Sequence, residues 1–290
     1  MKLDDKMLVL EVGSGSNPWF RSDVLVDRFY VDEIGQRGGG ELFVDRRPMI
    51  VAAGERLPFK DKSFDFVYCC HVIEHADDIA SMLQEMSRVG KAGFIECPNP
   101  LLEKVLDQSQ HNWYITNLNG KLLIAPKTAE SNVTSSADRF YFHMMSDHYI
   151  IRNYWEHFVT RLDWKGEVSF EILEDVEQVF SAHATDADIA AIVKRQLEGT
   201  LRRAWTDATK ESIKGAIRSA PFSGQIESIF RSIRKWKKTH HAPLRIDRER
   251  LLELLVCPHC RGELKREDGA YVCLGCKQEF QDVDTVAVLL

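Results

Sequence analysis

The sequence lacks any uninterrupted apolar run of the roughly 18–20 residues that a membrane-spanning helix requires, and it shows no internal repeat. Residues 1–7 contain two Lys and two Asp in place of the apolar core of a signal peptide. We therefore expect neither a membrane-spanning protein nor a secreted one. The expected location is cytoplasmic, with peripheral contact at the inner membrane surface as a further option.

The chain also lacks a net positive charge. Its 290 residues include 38 Lys and Arg against 44 Asp and Glu, a formal charge of -6. This balance excludes a protein whose whole surface binds nucleic acid electrostatically. Residues 201–241 are the exception, with ten Lys or Arg and three Asp or Glu, so an anionic partner should meet this segment first.

The first hundred residues alternate short apolar runs with glycine turns and a helical stretch, a pattern that predicts parallel strands joined by crossover helices. Asp77–Val89 places apolar residues three and four positions apart, as in a helix that lies on a sheet. The predicted fold class is therefore α/β, with a doubly wound parallel sheet. The predicted strands are Met7–Val12, Val24–Asp27, Glu41–Asp45, Phe64–Cys70 and Gly93–Cys97.

Beyond residue 100 the pattern is that of an insertion, at about residues 101–166, with a last strand expected at Glu167–Ile172. The dipeptide Asn119-Gly120 predicts a β-hairpin formed by His111–Thr116 and Lys121–Pro126. The segment after it is helical and increasingly basic, and a short C-terminal domain follows. The predicted domains are residues 1–174 for the sheet domain with its insertion, 175–242 for a helical linker and 243–290 for the final domain.

Within the linker, Gln225–Lys238 has the pattern of a basic amphipathic helix, with apolar side chains on one face and Arg and Lys elsewhere. Three interpretations remain open: a helix buried in the protein's own core, contact with an anionic membrane surface or lipid-linked substrate, and contact with RNA. Trp236 lies among the basic residues, which favours the membrane surface over RNA.

A glycine turn follows the first predicted strand. Gly13 and Gly15 let the backbone take positive φ and approach a ligand closely. A dinucleotide-binding fold shows a similar turn, but here Pro18, which also marks the expected start of a helix, replaces the third glycine. Glu11 suits an ammonium-bearing or hydroxylated ligand, and the Asp27 carboxylate can accept hydrogen bonds from ribose hydroxyls.

A second motif is more specific. Residues 55–75 contain Leu-Pro-Phe, then Ser-Phe-Asp and then Glu-His, and together they closely resemble the signature of the class I, type 11 S-adenosylmethionine-dependent methyltransferases. The resemblance covers roughly residues 7–100 and implies a Rossmann-like sheet that binds S-adenosylmethionine at its strand ends. It implies methionine contacts from the glycine turn, ribose contacts from Asp27, adenine contacts near Gly54–Leu57, and a substrate border at Cys70 and His71. The cofactor residues implied are Glu11, Gly13, Ser14, Gly15, Asp27, Glu55, Leu57, Cys70 and His71.

Some positions depart from the family pattern. Asn17 stands where the family has its third glycine, and Ala53 stands where it often has an aspartate for the adenine amine, which leaves the adenine to backbone groups. Residues 71–75 also read as H-x-x-E-H, a zinc-peptidase pattern. We do not favour that interpretation, because the pattern requires a helix and a distant third ligand, whereas His71 follows a strand.

Methyl transfer to a hydroxyl benefits from a general base, whereas a phosphate acceptor needs Arg or Lys. The insertion offers such groups, and His111 is the first choice as base because it alternates onto the same strand face as Trp113. His71 and His75 are the other catalytic candidates, although each histidine also has an interpretation as a packed structural residue. The remaining polar candidates of the insertion are Arg139, His143, His148 and His157.

Seven cysteines are present, and four of them form two C-x-x-C pairs near the C-terminus. Two such turns supply the four thiolates of a tetrahedral zinc site, which a short domain needs for stability. We expect a structural zinc without an open position, and His259 is not a ligand. The zinc ligands predicted are Cys257, Cys260, Cys273 and Cys276.

The last forty residues resemble the small zinc-ribbon activator proteins that pair with methyltransferases acting on tRNA, ribosomal RNA and release factors. The ribbon carries few basic residues, so by itself it is a poor RNA binder. We expect an S-adenosylmethionine-dependent methyltransferase that uses a hydroxyl, phosphate or amine acceptor in a small molecule, cell-surface glycan or glycolipid precursor. The alternatives are a methyltransferase of RNA or a translation factor, and a non-catalytic scaffold with the same fold.

Overall fold

A computed structural model gives the architecture, and all described residues belong to one compact unit formed by residues 1–183 and 242–290. Within the described part of the chain, no helix is long and apolar enough to cross a membrane. The residues described are 3–32, 35–37, 40–106, 108–128, 155–183, 245–267, 269–283 and 286–290.

The core of the molecule is a sheet in which five parallel strands follow the spatial order β3-β2-β1-β4-β5, with β8 antiparallel at one edge. The order reverses between β1 and β4, as in a doubly wound fold, so the predicted fold class is confirmed. Buried side chains alone make up β1, β2 and β3, because parallel strands are covered on both faces. The strands are β1 Val9–Val12, β2 Val24–Asp27, β3 Met49–Val51, β4 Phe66–Cys70, β5 Ala92–Pro98 and β8 Val159–Lys165.

In this region one predicted strand is absent, and one observed strand was not predicted. Glu41–Asp45 is not a strand, and the third strand is the three-residue run Met49–Val51. Asp45 instead turns back to bind Arg47, and both side chains of this ion pair are about 1% exposed. The strand β8 was also not predicted, although its alternating buried and exposed residues carry the period-2 signal of a strand with one face on the core.

No helix begins at Pro18, contrary to expectation; residues 13–23, all described, form turns. The Glu11 carboxylate accepts the Trp19 N–H at 2.9 and 3.0 Å, which ties the residue after Pro18 back to β1. The Gly13 and Ser14 N–H groups both donate to the Val26 carbonyl, at 2.8 and 3.0 Å. The connection between β1 and β2 is therefore held by hydrogen bonds to both strands.

The predicted helix is present as α1, Ile79–Val89. Asp78 caps its N-terminus by accepting the Ser81 N–H. The apolar positions face the core of the sheet, where Ile79, Leu83 and Met86 are fully buried.

The insertion contains the predicted hairpin. Its strands β6, Trp113–Leu118, and β7, Lys121–Pro126, are antiparallel, and both Asn119 and Gly120 take positive φ, as a two-residue hairpin turn requires. The last predicted strand is present as β9, Phe170–Ile172, parallel to β7. Two short helices complete this region: α2, Pro100–Leu106, and α3, Val176–His183.

The C-terminal module, residues 245–290, is called the ribbon below. Its last strand pairs in parallel with β3, with Ala287 opposite Ile50, and so extends the central sheet. Backbone bonds from Lys60 to Leu254 and from Val256 to Pro58 join the two parts at 2.8 and 3.0 Å. The ribbon elements are α4 Arg248–Leu254, β10 Leu264–Glu267, β11 Ala270–Cys273, β12 Glu279–Val283 and β13 Val286–Val288.

Several predicted features lie outside the described residues. They include the amphipathic helix Gln225–Lys238, most of the linker at 175–242, and the acceptor candidates Arg139, His143 and His148. The backbone of His157 is described, in a 3₁₀ turn at Trp155–His157.

Candidate cofactor and acceptor site

The candidate site lies at the edge where the parallel strands end at their carboxyl termini. Ligands of doubly wound sheets bind in the crevice beside the point where the strand order reverses. Here that point lies between β1 and β4, so the glycine turn, the end of β2 and the segment after β4 all face one crevice.

A small cleft, with a cavity volume of about 50 Å³, occupies this position. Of the residues implied by the resemblance, Gly13, Asp27 and Glu55 line it, as does the catalytic candidate His75. The other lining residues are Val12, Val26, Arg28, Gln36, Ala52, Gly54, Val72, Ala76 and Met82.

Gly13 is required at its position for two reasons. Its φ is +76°, where a side chain is strained, and a Cβ there would lie 2.1 Å from Cγ2 of Val72. The glycine therefore lets the first strand pass directly against the segment that follows β4, which brings two walls of the cleft together.

Asp27 ends β2 at the cleft. One carboxylate oxygen accepts the Gly15 N–H at 2.8 Å; the other accepts the Phe29 N–H at 3.1 Å and faces the Arg37 guanidinium at 3.3 Å. A carboxylate offers about four acceptor positions, so capacity remains for a ribose hydroxyl. The side chain thus holds the glycine turn and fits the role that the sequence implied.

The 3₁₀ turn Gly54–Arg56 forms the third wall of the cleft. The Glu55 carboxylate accepts the Asp77 N–H at 3.1 Å, while Leu57 is fully buried. The Leu57 N–H donates to Glu85 at 2.8 Å, so the turn is fixed from behind by α1.

The remaining predicted cofactor residues lie outside the lining of the cleft and contact its neighbours. Glu11 binds the Trp19 N–H, Ser14 lies 3.9 Å from the sulfur of Met49, and Gly15 donates to Asp27. The structure brings Cys70 and His71 to the end of β4, beside the cleft residue Val72. None of these five residues is among the described lining residues of the cleft.

His71 follows β4 with a φ of +55° and lies between two carboxylates, 3.5 Å from Glu74 and 3.4 Å from Glu96. Burial opposes its charge, but these two carboxylates raise the pKa of His71 to about 9. At neutral pH His71 is therefore a cation whose two N–H groups face these carboxylates, and it does not act as a base. Burial raises the pKa of Cys70 to about 12, so Cys70 remains a thiol.

The Glu96 carboxylate, near the end of β5, binds three side chains, one of them His71. Burial opposes its charge, yet hydrogen bonds from His71, Arg161 and Trp155 lower the pKa of Glu96 to about 2. The Arg161 contact is 2.6 Å and the Trp155 contact 3.3 Å. The Trp155 ring lies 5.3 Å from that of His71, so an aromatic wall and two cations stand together here.

His111, the favoured base, lies just before β6, and its Nδ1 contacts the Glu103 carboxylate. Glu103 is 2% exposed and also binds Lys127 at 3.1 Å. The rings of His111 and His75 are perpendicular with centroids 4.5 Å apart, and His75 Nδ1 faces the Gln110 carbonyl at 3.1 Å. Burial lowers the pKa of His75, which favours its neutral form.

Reasoning from sequence missed five members of this site: Glu74, Glu96, Glu103, Trp155 and Arg161. Glu96 carried a usable signal, since it is an acidic residue inside an apolar strand and buried carboxylates are rare unless paired. The others lie on elements whose mutual placement only the fold defines.

The four ribbon cysteines form one cluster, with their sulfur atoms all within 4.8 Å of one another. Cys257 and Cys276 sulfurs are 3.7 Å apart, and those of Cys260 and Cys273 are 3.4 Å apart. Tetrahedral zinc with bonds of about 2.3 Å places sulfurs roughly 3.8 Å apart, so the donor set fits Zn²⁺. The predicted ligands are thus brought together, and a four-sulfur set leaves no open position.

Comparison with known families agrees with this architecture. Residues 36–95 match a family described as a methyltransferase domain, and residues 248–281 match the Trm112p-like protein family. The chain therefore combines a methyltransferase domain with a Trm112p-like domain. The methyltransferase match spans β3, β4 and α1, whereas the glycine turn and Asp27 lie before it.

Individual relatives are distant or local. An uncharacterized protein of Methanocaldococcus jannaschii is 47% identical over 45 residues, which cover 16% of this chain and 22% of that protein. The chain thus spans about a fifth of the curated relative that it matches.

Solved structures with similar segments include an S-adenosylmethionine-dependent methyltransferase from Thermotoga maritima, which is 24% identical. The alignment covers 32% of this chain and 45% of that chain, with a TM-score of 0.26. A chain in the complex of the Haloferax volcanii Trm112 methyltransferase activator is 13% identical, with 58% and 85% covered and a TM-score of 0.37.

Proposed function

We propose that the protein transfers the methyl group of S-adenosylmethionine to a nucleophilic acceptor. The observation that carries this proposal is the cleft at the strand ends, where Gly13, Asp27 and Glu55 from three separate segments line one cavity. Bound there, S-adenosylmethionine supplies a methyl group on a positively charged sulfur. The cleft residues hold its ribose and amino-acid parts so that the methyl group faces the segment after β4.

The transfer is an in-line displacement, so positioning is the main task of the protein. A bond forms between the acceptor atom and the methyl carbon while the carbon–sulfur bond breaks, and the sulfur keeps the electron pair as S-adenosylhomocysteine. An acceptor hydroxyl also loses a proton, which must leave through the groups beside the cleft. We place the acceptor against Trp155 and Arg161, where a flat apolar wall and a half-exposed guanidinium would orient an oxygen-bearing group.

The acceptor classes remain a hydroxyl, a phosphate or an amine. Arg161 favours an oxygen-bearing, electron-rich acceptor over an amine, since its half-exposed guanidinium carries N–H donors besides the Nε–H that binds Glu96. A glycan or glycolipid precursor as acceptor, and contact with a membrane surface, rest on residues 225–238, which lie outside the described residues.

The second candidate acceptor is RNA or a translation factor. Residues 248–281 match the Trm112p-like protein family, and Trm112 is the methyltransferase activator named in the Haloferax volcanii complex. The ribbon itself offers little for RNA. Arg261 pairs with Glu85, Lys265 with Glu267 and Arg266 with Asp282, so three of the four basic residues at positions 251–290 are neutralised. If RNA binds, we expect it to contact another surface.

Calorimetric titration of the zinc-loaded protein with S-adenosylmethionine tests the proposal. We expect binding that Asp27→Asn weakens at least about tenfold, the loss of roughly 1.4 kcal/mol that a charge-assisted hydrogen bond can supply. Asp61→Asn is the matched control, since Asp61 is an exposed partner of Arg88 and should change nothing. Absence of binding in the unmodified protein would overturn the proposal and leave the scaffold alternative.

A further inference from the structure

Beside the cofactor cleft, three potential metal ligands from two distant parts of the chain meet. Glu74 and His75 belong to the 3₁₀ turn Ile73–His75, and His111 precedes β6. One ligand atom from each lies within 4.8 Å of the others. Two imidazoles and one carboxylate are the ligand types of mononuclear Zn²⁺ and Fe²⁺ sites.

The outer contacts of the two histidines fix which nitrogen faces the cluster. His75 Nδ1 lies 3.1 Å from the Gln110 carbonyl, which can only accept, so Nδ1 carries the proton and Nε2 keeps its lone pair. His111 Nδ1 is held by the Glu103 carboxylate in the same way. A carbonyl or carboxylate behind each imidazole is the arrangement that orients histidine ligands around metal ions.

Glu74 supplies an independent observation. Its side chain is 2% exposed, and its Oε2 has no hydrogen-bond partner among the described residues. An unpartnered buried carboxylate oxygen carries a large desolvation cost. The other carboxylate oxygen of Glu74, Oε1, faces the His71 cation at 3.5 Å, so the cost falls on Oε2, and a cation bound by that oxygen would remove it.

We propose that Glu74, His75 and His111 bind a divalent first-row transition metal ion, with Glu103 and the Gln110 carbonyl as outer supports. Shifts of about 1 Å bring the three ligand atoms to the separations of roughly 3–3.5 Å found around such ions. Three protein ligands leave open positions, and His75 lines the cofactor cleft. The ion would therefore bind an acceptor oxygen, and His111 would act as its ligand and not as a free base.

The proposal differs from the H-x-x-E-H interpretation of residues 71–75. In that pattern both histidines are ligands and the glutamate is a base, whereas here His71 is charged and faces two carboxylates. The third ligand, His111, comes from the insertion, 36 positions beyond His75 in the numbering of the chain.

Titration with Co²⁺ of protein that holds one zinc per chain, on the ribbon thiolates, tests the site without any cofactor or acceptor. With the ribbon thiolates already occupied, we expect one further equivalent of Co²⁺, with weak visible absorption and no thiolate-to-cobalt charge-transfer band. His75→Asn and His111→Asn should each abolish this binding. Glu103→Gln should weaken it about 10- to 100-fold, as for other outer-shell partners.

His259→Asn is the matched control, because His259 lies in the ribbon against Phe280 and should leave Co²⁺ binding unchanged. One zinc per chain and an unaltered circular dichroism spectrum show that each variant is folded. The proposal is overturned if no second equivalent binds, if a charge-transfer band places Co²⁺ on the thiolates, or if His75→Asn binds as well as the unmodified protein. Because cofactor binding is measured separately, these results are independent of the proposed methyl transfer.

Discussion

Arg261, in the ribbon, donates a hydrogen bond to the carbonyl oxygen of Leu57 at 2.7 Å, directly behind the turn that lines the cofactor cleft. Its other terminal nitrogen pairs with Glu85 at 2.8 Å, and Glu85 in turn accepts the Leu57 N–H. Arg261 itself directly follows Cys260 and takes a φ of +62°. The metal site of the ribbon and the wall of the cleft are therefore joined through a single side chain.

This relationship predicts that Arg261→Ala weakens cofactor binding although Arg261 does not line the cleft. Arg88 also holds Leu57 and Glu85, so the loss should be partial. We expect about 1 kcal/mol, or roughly fivefold in the dissociation constant, for one half-exposed charged hydrogen bond. Calorimetry with S-adenosylmethionine measures it, and Lys265→Ala, which removes an exposed ribbon charge that pairs with Glu267, should have no effect. Equal affinities in both variants would contradict the prediction.

Gly13→Ala should destabilise the protein by at least about 2 kcal/mol, through positive φ and a collision with Val72. Gly120→Ala is the control, because Gly120 also has positive φ but nothing lies within 4 Å of its added Cβ. Denaturant unfolding compares the two. If the collision dominates, the double variant Gly13→Ala/Val72→Ala recovers part of the lost stability; no recovery would mean that the backbone strain alone is responsible.

Glu96→Gln should cost stability at neutral pH and much less in acid. The folded-state pKa of Glu96 is lowered from 4.5 to about 2, so its contribution is complete above pH 4.5 and disappears as pH falls through 2. The shift corresponds to about 3 kcal/mol. The difference in unfolding free energy between the unmodified protein and Glu96→Gln, measured in urea at pH 7 and pH 3, should shrink in acid.

The same comparison for Glu171→Gln provides the baseline. Glu171 is half exposed and pairs with Lys121 on the surface, so its replacement should change stability by less than about 0.5 kcal/mol at either pH. A loss for Glu96→Gln that does not vary with pH would show that packing, and not charge, accounts for it.

Removal of zinc with a chelator should release the strand β13 from the central sheet. The Leu289 N–H donates to Val51 at 2.8 Å, and the other edge of β13 pairs with β12, in the module that the cysteine cluster anchors. We expect faster amide hydrogen exchange over 286–290 in the chelated protein. Val9–Val12, in the middle of the sheet, should remain protected, and unchanged exchange at Leu289 would contradict the coupling.

Local patterns in the sequence determined most of the parallel sheet, the helix α1, the hairpin at Asn119-Gly120 and the cysteine cluster. Each depends on residues close together in the chain: an apolar run, helical spacing, a turn dipeptide or a C-x-x-C pair. The two wrong expectations also have local causes. Glu41–Asp45 resembles a strand, but buried Arg47 draws Asp45 into a turn, and Glu11 ties Trp19 back to β1 where a helix was expected after Pro18.

Only the tertiary structure decided how distant groups meet. It placed β13 beside β3, and it set Glu103 against His111 and His111 against His75. It also gave His71 its charge, because two carboxylates from different elements flank it. Spacing along the chain carries no record of such contacts, since strand pairing and burial arise from packing between elements; the sequence therefore determined the type of site, and the fold determined the chemical state of each group within it.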